Sequence, residues 1–410
     1  MMRIGGVSAA DLARAYGTPL LAIDYDVLDR AVASFLDACE PYGIEVAYAG
    51  KALLLTALAK HLKHTRLQLD VCSLGELAAA ERAGFPPERL TLHGCGKTDD
   101  ELDAALEGRV GRIAVDNLDE LHRLKQRASG TYAVDVLLRI NTGIEAHTHA
   151  FVRTAGSRSK FGFDPHELPK AIDVLKDAQS LHFTGLHGHI GSQIYESQAF
   201  VEHVLALMER AAYCAHAGLK TEVLIAGGGF GVGEPDRAPM DPALTAKAIA
   251  QTGGKEARRW NIPVPRIGIE PGRALIAQAG TSVYSVMAVK RQFERAYAIV
   301  DGGMYENPRP ALYNAYHHIV CASRDDDTVV EMTVCGRTCE NDELGVAKLP
   351  STLRAGDLIA VQTTGAYTYS MASNYNRFTR PAVIAVRQGT HTPIARRETI
   401  EDVLRVDCDA

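Results

Sequence analysis

The chain is predicted to fold as an α/β plus β protein, an N-terminal (β/α)8 barrel followed by a mostly β domain. Three observations carry the prediction. From about residue 26 to 270, short apolar or β-branched runs alternate with longer helix-like segments, the texture of parallel strands joined by helical crossovers. The runs number about eight, which is the number that closes a barrel. Beyond Arg273 the pattern changes to strand-like runs separated by Gly, Asp and Pro turns, which reads as a separate β domain.

In order, the barrel strands are expected at 44–49, 67–71, 90–93, 113–115, 134–140, 181–187, 222–226 and 266–270. An open doubly wound sheet is the alternative for the same alternation. In the second domain, strands are expected at 281–289, 297–300, 328–334 and 358–362, and an apolar run at 19–25 can add one more. The domains are therefore 26–273 for the barrel and 1–25 with 274–410 for a β domain of sandwich or Greek-key type. No repeat or low-complexity linker separates them.

Composition narrows the function classes. With 410 residues, 46% hydrophobic and 23% charged, the chain can bury a sizeable core. A net charge of -6 without clustered Lys/Arg argues against a nucleic-acid or anionic-membrane surface and for a small-molecule ligand. The start, Met1-Met2-Arg3-Ile4-Gly5-Gly6, lacks a signal-peptide pattern, and the apolar stretch at 52–59 is too short to span a bilayer. The eight cysteines have no framework spacing, as expected of reduced thiols in a cytoplasmic protein. Cys335 and Cys339 have no second pair to complete a structural zinc site.

The residues with chemistry fall at predicted strand ends. Lys51, in Tyr48-Ala49-Gly50-Lys51-Ala52, follows the first barrel strand. Alone it reads as a solvated loop charge or as a reactive amine able to form a Schiff base. Gly227-Gly228-Gly229-Phe230-Gly231 follows strand seven and Glu270-Pro271-Gly272-Arg273 follows strand eight, where such barrels usually bind phosphate. A triple glycine alone is equally a tight strand-to-helix turn. His187-Gly188-His189-Ile190-Gly191-Ser192-Gln193 ends strand six, and His147-Thr148-His149 follows strand five. Imidazoles two apart in an extended segment can share a metal ion; alternatively His189 offers a face to stack on a flat ring, with Ser192 near a phosphate. The lysine, the phosphate loop and the acid Glu270 together favour the second use, since a pyridoxal phosphate site requires those parts. In the β domain, Arg309 to Tyr313, Cys339-Glu340 and Gly365-Ala366-Tyr367 supply groups suited to a carboxylate, an ammonium and a proton transfer, though each can equally be an ion pair or a core residue.

Together these segments resemble the alanine-racemase-like, fold-type III pyridoxal-phosphate decarboxylases, and within them most closely the diaminopimelate decarboxylase family. The likeness also rests on Asp70-Val71-Cys72-Ser73-Leu74-Gly75-Glu76-Leu77, on Glu145 to His149 followed by Ser159-Lys160-Phe161-Gly162, and on Ser373-Asn374-Tyr375-Asn376. It covers nearly the whole chain.

The resemblance implies pyridoxal 5'-phosphate as cofactor, decarboxylation of meso-2,6-diaminopimelate to L-lysine and carbon dioxide, and a homodimer with shared active sites. By that likeness Lys51 carries the cofactor, His189 packs on its ring and Glu270 contacts its pyridine nitrogen. Asp70, Ser192, Gly228, Gly229, Gly272, Arg273 and Tyr367 complete the cofactor site. Arg273, Arg309, Tyr313, Glu340 and Tyr367 match positions that hold the substrate's distal end. Cys339 matches the proton donor and, with Glu340, comes from the partner subunit. The sequence departs from the family pattern at Leu53, at Cys95 within His93-Gly94-Cys95-Gly96-Lys97, at Thr368, and at Tyr305-Glu306-Asn307-Pro308 ahead of Arg309. These departures keep open a decarboxylase of another amino acid or amino-acid conjugate. A racemase ranks below it, a metal-dependent barrel hydrolase is the reading from outside the class, and a non-catalytic cofactor carrier is disfavoured by the complete second domain.

Overall fold

A computed structural model of the chain describes residues 1–128, 133–144, 159–234, 236–324 and 328–408. It contains two compact units, Met1–Val32 with Leu275–Ala410 and Ala33–Ala274. The chain opens with a short hairpin, β1 (Arg3–Ile4) and β2 (Val7–Ser8), and β3 (Leu20–Asp24) follows.

The unit Ala33–Ala274 is a closed barrel of eight parallel strands: β4 (Glu45–Ala49), β5 (Gln68–Val71), β6 (Leu90–Leu92), β7 (Arg112–Val115), β8 (Val134–Arg139), β9 (Leu181–His187), β10 (Val223–Ile225) and β11 (Arg266–Ile269). Each strand pairs with the next, and β11 closes the ring on β4 through Gly268 opposite Glu45 and Ile269 opposite Val46. Because these strands are covered on both faces, they read as short continuous apolar runs rather than as alternating ones. The expected strands match the observed ones to within two residues at either end. Gly185 on β9 shows how tightly the wall is drawn, since a Cβ there would lie 1.8 Å from the Val223 carbonyl oxygen on β10.

Side-chain caps start several barrel helices just after the strands. Ser73 accepts from the Glu76 amide at the head of Leu74–Arg82, and Asn117 accepts from the Glu120 amide at the head of Leu118–Arg127. Thr98 and Glu101 form a reciprocal capping box at Asp99–Leu106. Each cap satisfies amides that would otherwise be orphaned at the helix start. They also fix the lengths of the strand-to-helix loops, and those loops build the face at the strands' C-terminal ends.

In the other unit the sheet runs in the order β16 (Glu343–Pro350), β15 (Val329–Cys335), β13 (Arg295–Val300), β12 (Gly280–Gln292), β3, β18 (Ala382–Arg387) and β19 (Thr390–Ala395). Beside this path, β17 (Leu358–Gln362) pairs with β12 and with β14 (Ile319–Cys321). The apolar run at the N-terminus does enter this sheet: β3 lies antiparallel to β12 and parallel to β18. One core gathers Leu12, Leu20, Val283, Ile384 and Val386, and a second gathers Tyr284, Val300, Met332, Leu349 and Ile359. All eight cysteines are free thiols. Among the described residues no helix is long and apolar enough to cross a membrane.

Candidate active site

In a closed parallel barrel all the strands end on one face, and nine of the sequence-predicted residues lie there or in the loops that follow: Lys51, Asp70, His189, Ser192, Gly228, Gly229, Glu270, Gly272 and Arg273. Lys51 sits in a single 3-10 turn, Gly50–Ala52, directly after β4. Backbone packing ties that turn to its neighbours. The Ala49 amide donates to the Pro271 carbonyl at 3.3 Å. A Cβ at Gly50 would come within 2.6 Å of the Asp70 carbonyl oxygen, and one at Gly272 within 3.0 Å of the Ala49 carbonyl oxygen. The loops bearing Lys51, Asp70 and Glu270 are therefore in direct contact. The Lys51 side chain is exposed, and its charge acts on Cys72, Glu76 and His189.

Beneath this rim lies a buried charge cluster. Glu270 Oε2 accepts from His187 Nε2 at 3.0 Å, and His93 Nε2 stands 3.4 Å from Glu270 Oε1 and 3.5 Å from Asp70 Oδ1. All four side chains are at most 10% exposed. The two separations at His93 are ion-pair distances rather than hydrogen bonds of good geometry, and neither Asp70 oxygen has a hydrogen-bond partner among the described residues. Burial opposes the charge on Glu270, but His187 and His93 outweigh it and hold the carboxyl well below the usual range. Burial and then the Glu270 charge push Asp70 upward. Burial works against a charged His93 as well, yet Glu270 and Asp70 raise it to about 9, while burial leaves His187 at about 4. At neutral pH the cluster thus holds a charged His93, a neutral His187 donating through Nε2, and an ionised Glu270.

His187 and His189, two residues apart, do different work. His187 turns to Glu270, whereas Nδ1 of His189 accepts the Gly228 amide hydrogen at 3.1 Å. Burial and the nearby Lys51 charge hold His189 well below its ordinary value. A neutral ring that accepts at Nδ1 must carry its proton on Nε2. The pair therefore does not converge on one ion. Atoms of His93, His187 and Glu270 do lie within 4.8 Å of one another, but Nε2 of His187 is already spent on Glu270, which makes the trio a hydrogen-bonded charge cluster. His147 and His149, the other pair with this spacing, lie outside the described residues.

The glycine turn is fixed from two sides. Gly227 and Gly229 have φ of 71° and 103°, left-handed values that suit glycine. A Cβ at Gly228 would stand 2.0 Å from the Glu270 carbonyl oxygen. The Gly228 amide, donating to His189, ties this turn to the segment after β9. Nearby, Ser192 Oγ accepts from both Nε and Nη2 of Arg273, at 3.3 and 3.2 Å, so a cation and a hydroxyl stand side by side.

The other unit holds the remaining candidates in two groups. Arg309 is buried at the head of the helix Arg309–Tyr313, its guanidinium 5.0 Å from the Tyr313 ring centre and 5.6 Å from that of Tyr367. Tyr367 is held at φ 59°. Cys339 and Glu340 are exposed. The Cys339 amide donates to Asn376 Oδ1 at 3.2 Å, and the Tyr375 hydroxyl donates to Glu340 Oε1.

Residues 26–277 match the family model described as the pyridoxal-dependent decarboxylase, pyridoxal binding domain. The chain is 40% identical to a diaminopimelate decarboxylase of Bacillus subtilis, over 99% of this chain and 95% of that protein. It is 35% identical to one of Staphylococcus aureus, over 98% and 96%. The chain belongs to the diaminopimelate decarboxylase family. Solved structures agree: the fold superposes on a diaminopimelate decarboxylase of M. jannaschii in complex with L-lysine with a TM-score of 0.92, at 27% identity, over 100% of this chain and 99% of that one. The enzyme of Helicobacter pylori with L-lysine gives 0.90 at 28% identity, over 97% and 98%.

For this decarboxylase family member, pattern reading missed two groups at the site. His93 entered only as part of a departing motif, although a histidine closing the otherwise apolar run at 90–93 was itself a signal. Lys97 was passed over as well. Its buried Nζ donates to Glu120 Oε1 at 2.8 Å, to the Gly94 carbonyl at 2.8 Å and to the Ala114 carbonyl at 2.6 Å, anchoring the loop that carries His93.

Proposed function

We propose that this chain decarboxylates meso-2,6-diaminopimelate to L-lysine and carbon dioxide with pyridoxal 5'-phosphate; its relatives are named diaminopimelate decarboxylases, and residues 26–277 match a pyridoxal binding domain. The observation that carries the reading is Glu270, a buried carboxylate kept ionised between two imidazoles at the end of a barrel strand. The residues present fit the cofactor: an amine at Lys51, a buried anion for a cationic ring nitrogen, buried Asp70 oxygens without partners among the described residues, and the Arg273–Ser192 pair for a phosphate.

When bound, the cofactor supplies an electron sink for the bond that breaks. Lys51 would hold it through Nζ, and Glu270 would keep a proton on the adjacent ring nitrogen. His189, neutral and oriented by the Gly228 amide, would present its ring face. Ser192, Arg273, Gly229 and Tyr367 would receive the phosphate; Asp70, Gly228 and Gly272 would shape the pocket around it. The zwitterionic far end of the substrate calls for a cation and an anion, and Arg309, Tyr313, Tyr367, Arg273 and Glu340 are assigned to it. Arg309 suits this role because two tyrosine rings already order its planar fork. Arginines belong at that end, since stabilising the departing carboxylate would deepen the ground state and slow its loss. Cys339 is assigned to protonate the carbon after carbon dioxide leaves, with Cys339 and Glu340 contributed by the second subunit of a homodimer. The proposed location is the cytoplasm.

The test is release of carbon dioxide and L-lysine from meso-diaminopimelate, with ornithine, lysine and arginine in parallel. Fast, selective lysine formation supports the reading. Retained cofactor with no turnover of any of the four would move the substrate to another amino acid or conjugate.

A further inference from the structure

Two carboxylates, Asp70 at the end of β5 and Glu270 after β11, are buried on either side of one imidazole nitrogen, His93 Nε2. Ionised carboxylate oxygens are acceptors only, so with both acids charged that nitrogen carries a hydrogen, or three lone-pair atoms would face one another in a dry site. Glu270 receives a second donor from His187, while Asp70 receives none among the described residues. The two acids are thus unequal, and His93 stands at ion-pair distance from both.

We infer that His93 is a positioning residue of the decarboxylase site: as an imidazolium between Asp70 and Glu270 it divides the charge of the pair so that Glu270 stays ionised and aimed at the cofactor ring. This rests on the proposed role of Glu270. Without His93 the two buried carboxylates would be left with one neutral donor, His187 on Glu270, and one of them would take up a proton. The groups that bear on His93 are Asp70 and Glu270, the His187 ring 4.9 Å away on β9, and Glu76 on the helix Leu74–Arg82. The loop of His93 is rigid enough for such a task, because its amide donates to the Val71 carbonyl at 2.8 Å and Lys97 holds the next carbonyl, that of Gly94. A buried ion pair kept only for packing would give the same distances, and charge balance separates the two cases.

The experiment compares wild type, His93→Gln and His93→Gln with Asp70→Asn. In cofactor-free wild type, histidine NMR, with His93 identified by its loss in the variant, should show an imidazolium at pH 7.5; a neutral ring overturns the proposal. This measurement requires no variant activity and no substrate assignment. In loaded protein, His93→Gln should lower kcat by about tenfold or more with KM little changed, and should move the pH midpoint of the bound-cofactor absorbance by about one unit. Removing the Asp70 charge as well should return the midpoint toward wild type. An unmoved midpoint in His93→Gln, or a double variant no closer to wild type, overturns the charge-dividing role. If wild type gives the imidazolium and the spectral response but forms no lysine, only the substrate reading fails.

Discussion

The Gly228 amide donates to Nδ1 of His189 at 3.1 Å, so the glycine turn after β10 fixes the tautomer of a histidine just after β9. Substituting Gly228 tests this link. A Cβ would meet the Glu270 carbonyl oxygen at 2.0 Å, which is backbone that cannot move aside cheaply. Gly228→Ala should displace the turn, release His189 and weaken cofactor retention by at least about tenfold, with a stability loss on the order of 2 kcal/mol. Equilibrium dialysis of the cofactor and thermal melting measure the two effects. Unchanged retention would separate His189 from the cofactor.

A shared site in a homodimer makes a complementation prediction. Lys51→Ala and Cys339→Ala should each be nearly inactive. If Cys339 acts in the neighbouring subunit's site, hybrids of the two contain one site with both native groups. Mixed under conditions that exchange subunits, they should recover up to about a quarter of wild-type activity, from a statistical half of dimers each carrying one intact site. No recovery after exchange is verified by mass spectrometry would remove Cys339 from a shared site.

The barrel was legible because its strands are covered on both faces and therefore appear as short apolar runs, and β9 matches its expected range at both ends. The sheet of the second unit was harder to read. In Glu343–Pro350 only Leu344, Leu349 and Pro350 are buried, and Thr390–Ala395 has no buried residue, so neither offers an apolar run to see. At the site, residues with unusual chemistry in a glycine-rich context, such as Lys51 and His189, stood out. His93 and Lys97 did not, because their importance lies in partners distant in sequence: Glu270 for the first and Glu120 for the second. Pairing across barrel strands cannot be inferred from one strand's residue types.

The Lys97–Glu120 pair should be costly to break and cheap to replace. Lys97 and Glu120 side chains are 1% and 2% exposed, so Lys97→Met leaves a carboxylate buried without its cation. The expected loss is about 3–5 kcal/mol, and adding Glu120→Leu should recover most of it, because two apolar groups need no desolvation. Denaturant unfolding of both variants measures this. Equal stability of Lys97→Met and wild type would show that water reaches Glu120.

In the second unit, Glu306 sets a pH dependence of stability. Burial pushes its carboxyl up to about 7 from an ordinary 4.5, although the Tyr284 hydroxyl, at 2.6 Å, and the Gly303 amide both favour the charged form, and Asp342 and Asp301 add to the rise. A raised acid binds protons more tightly in the folded state. Its contribution is therefore fully present below about pH 4.5 and is lost as the pH rises through about 7. Glu306→Gln keeps an oxygen for both donors and never ionises, so it should exceed wild type in stability above pH 8, by an amount on the order of 3 kcal/mol at most. The difference should vanish below about pH 4.5. Paired melting curves of wild type and Glu306→Gln from pH 4 to 9 decide it: a variant less stable than wild type at pH 8 would mean that Tyr284 and Gly303 outweigh the burial and that the carboxyl is not raised in the fold.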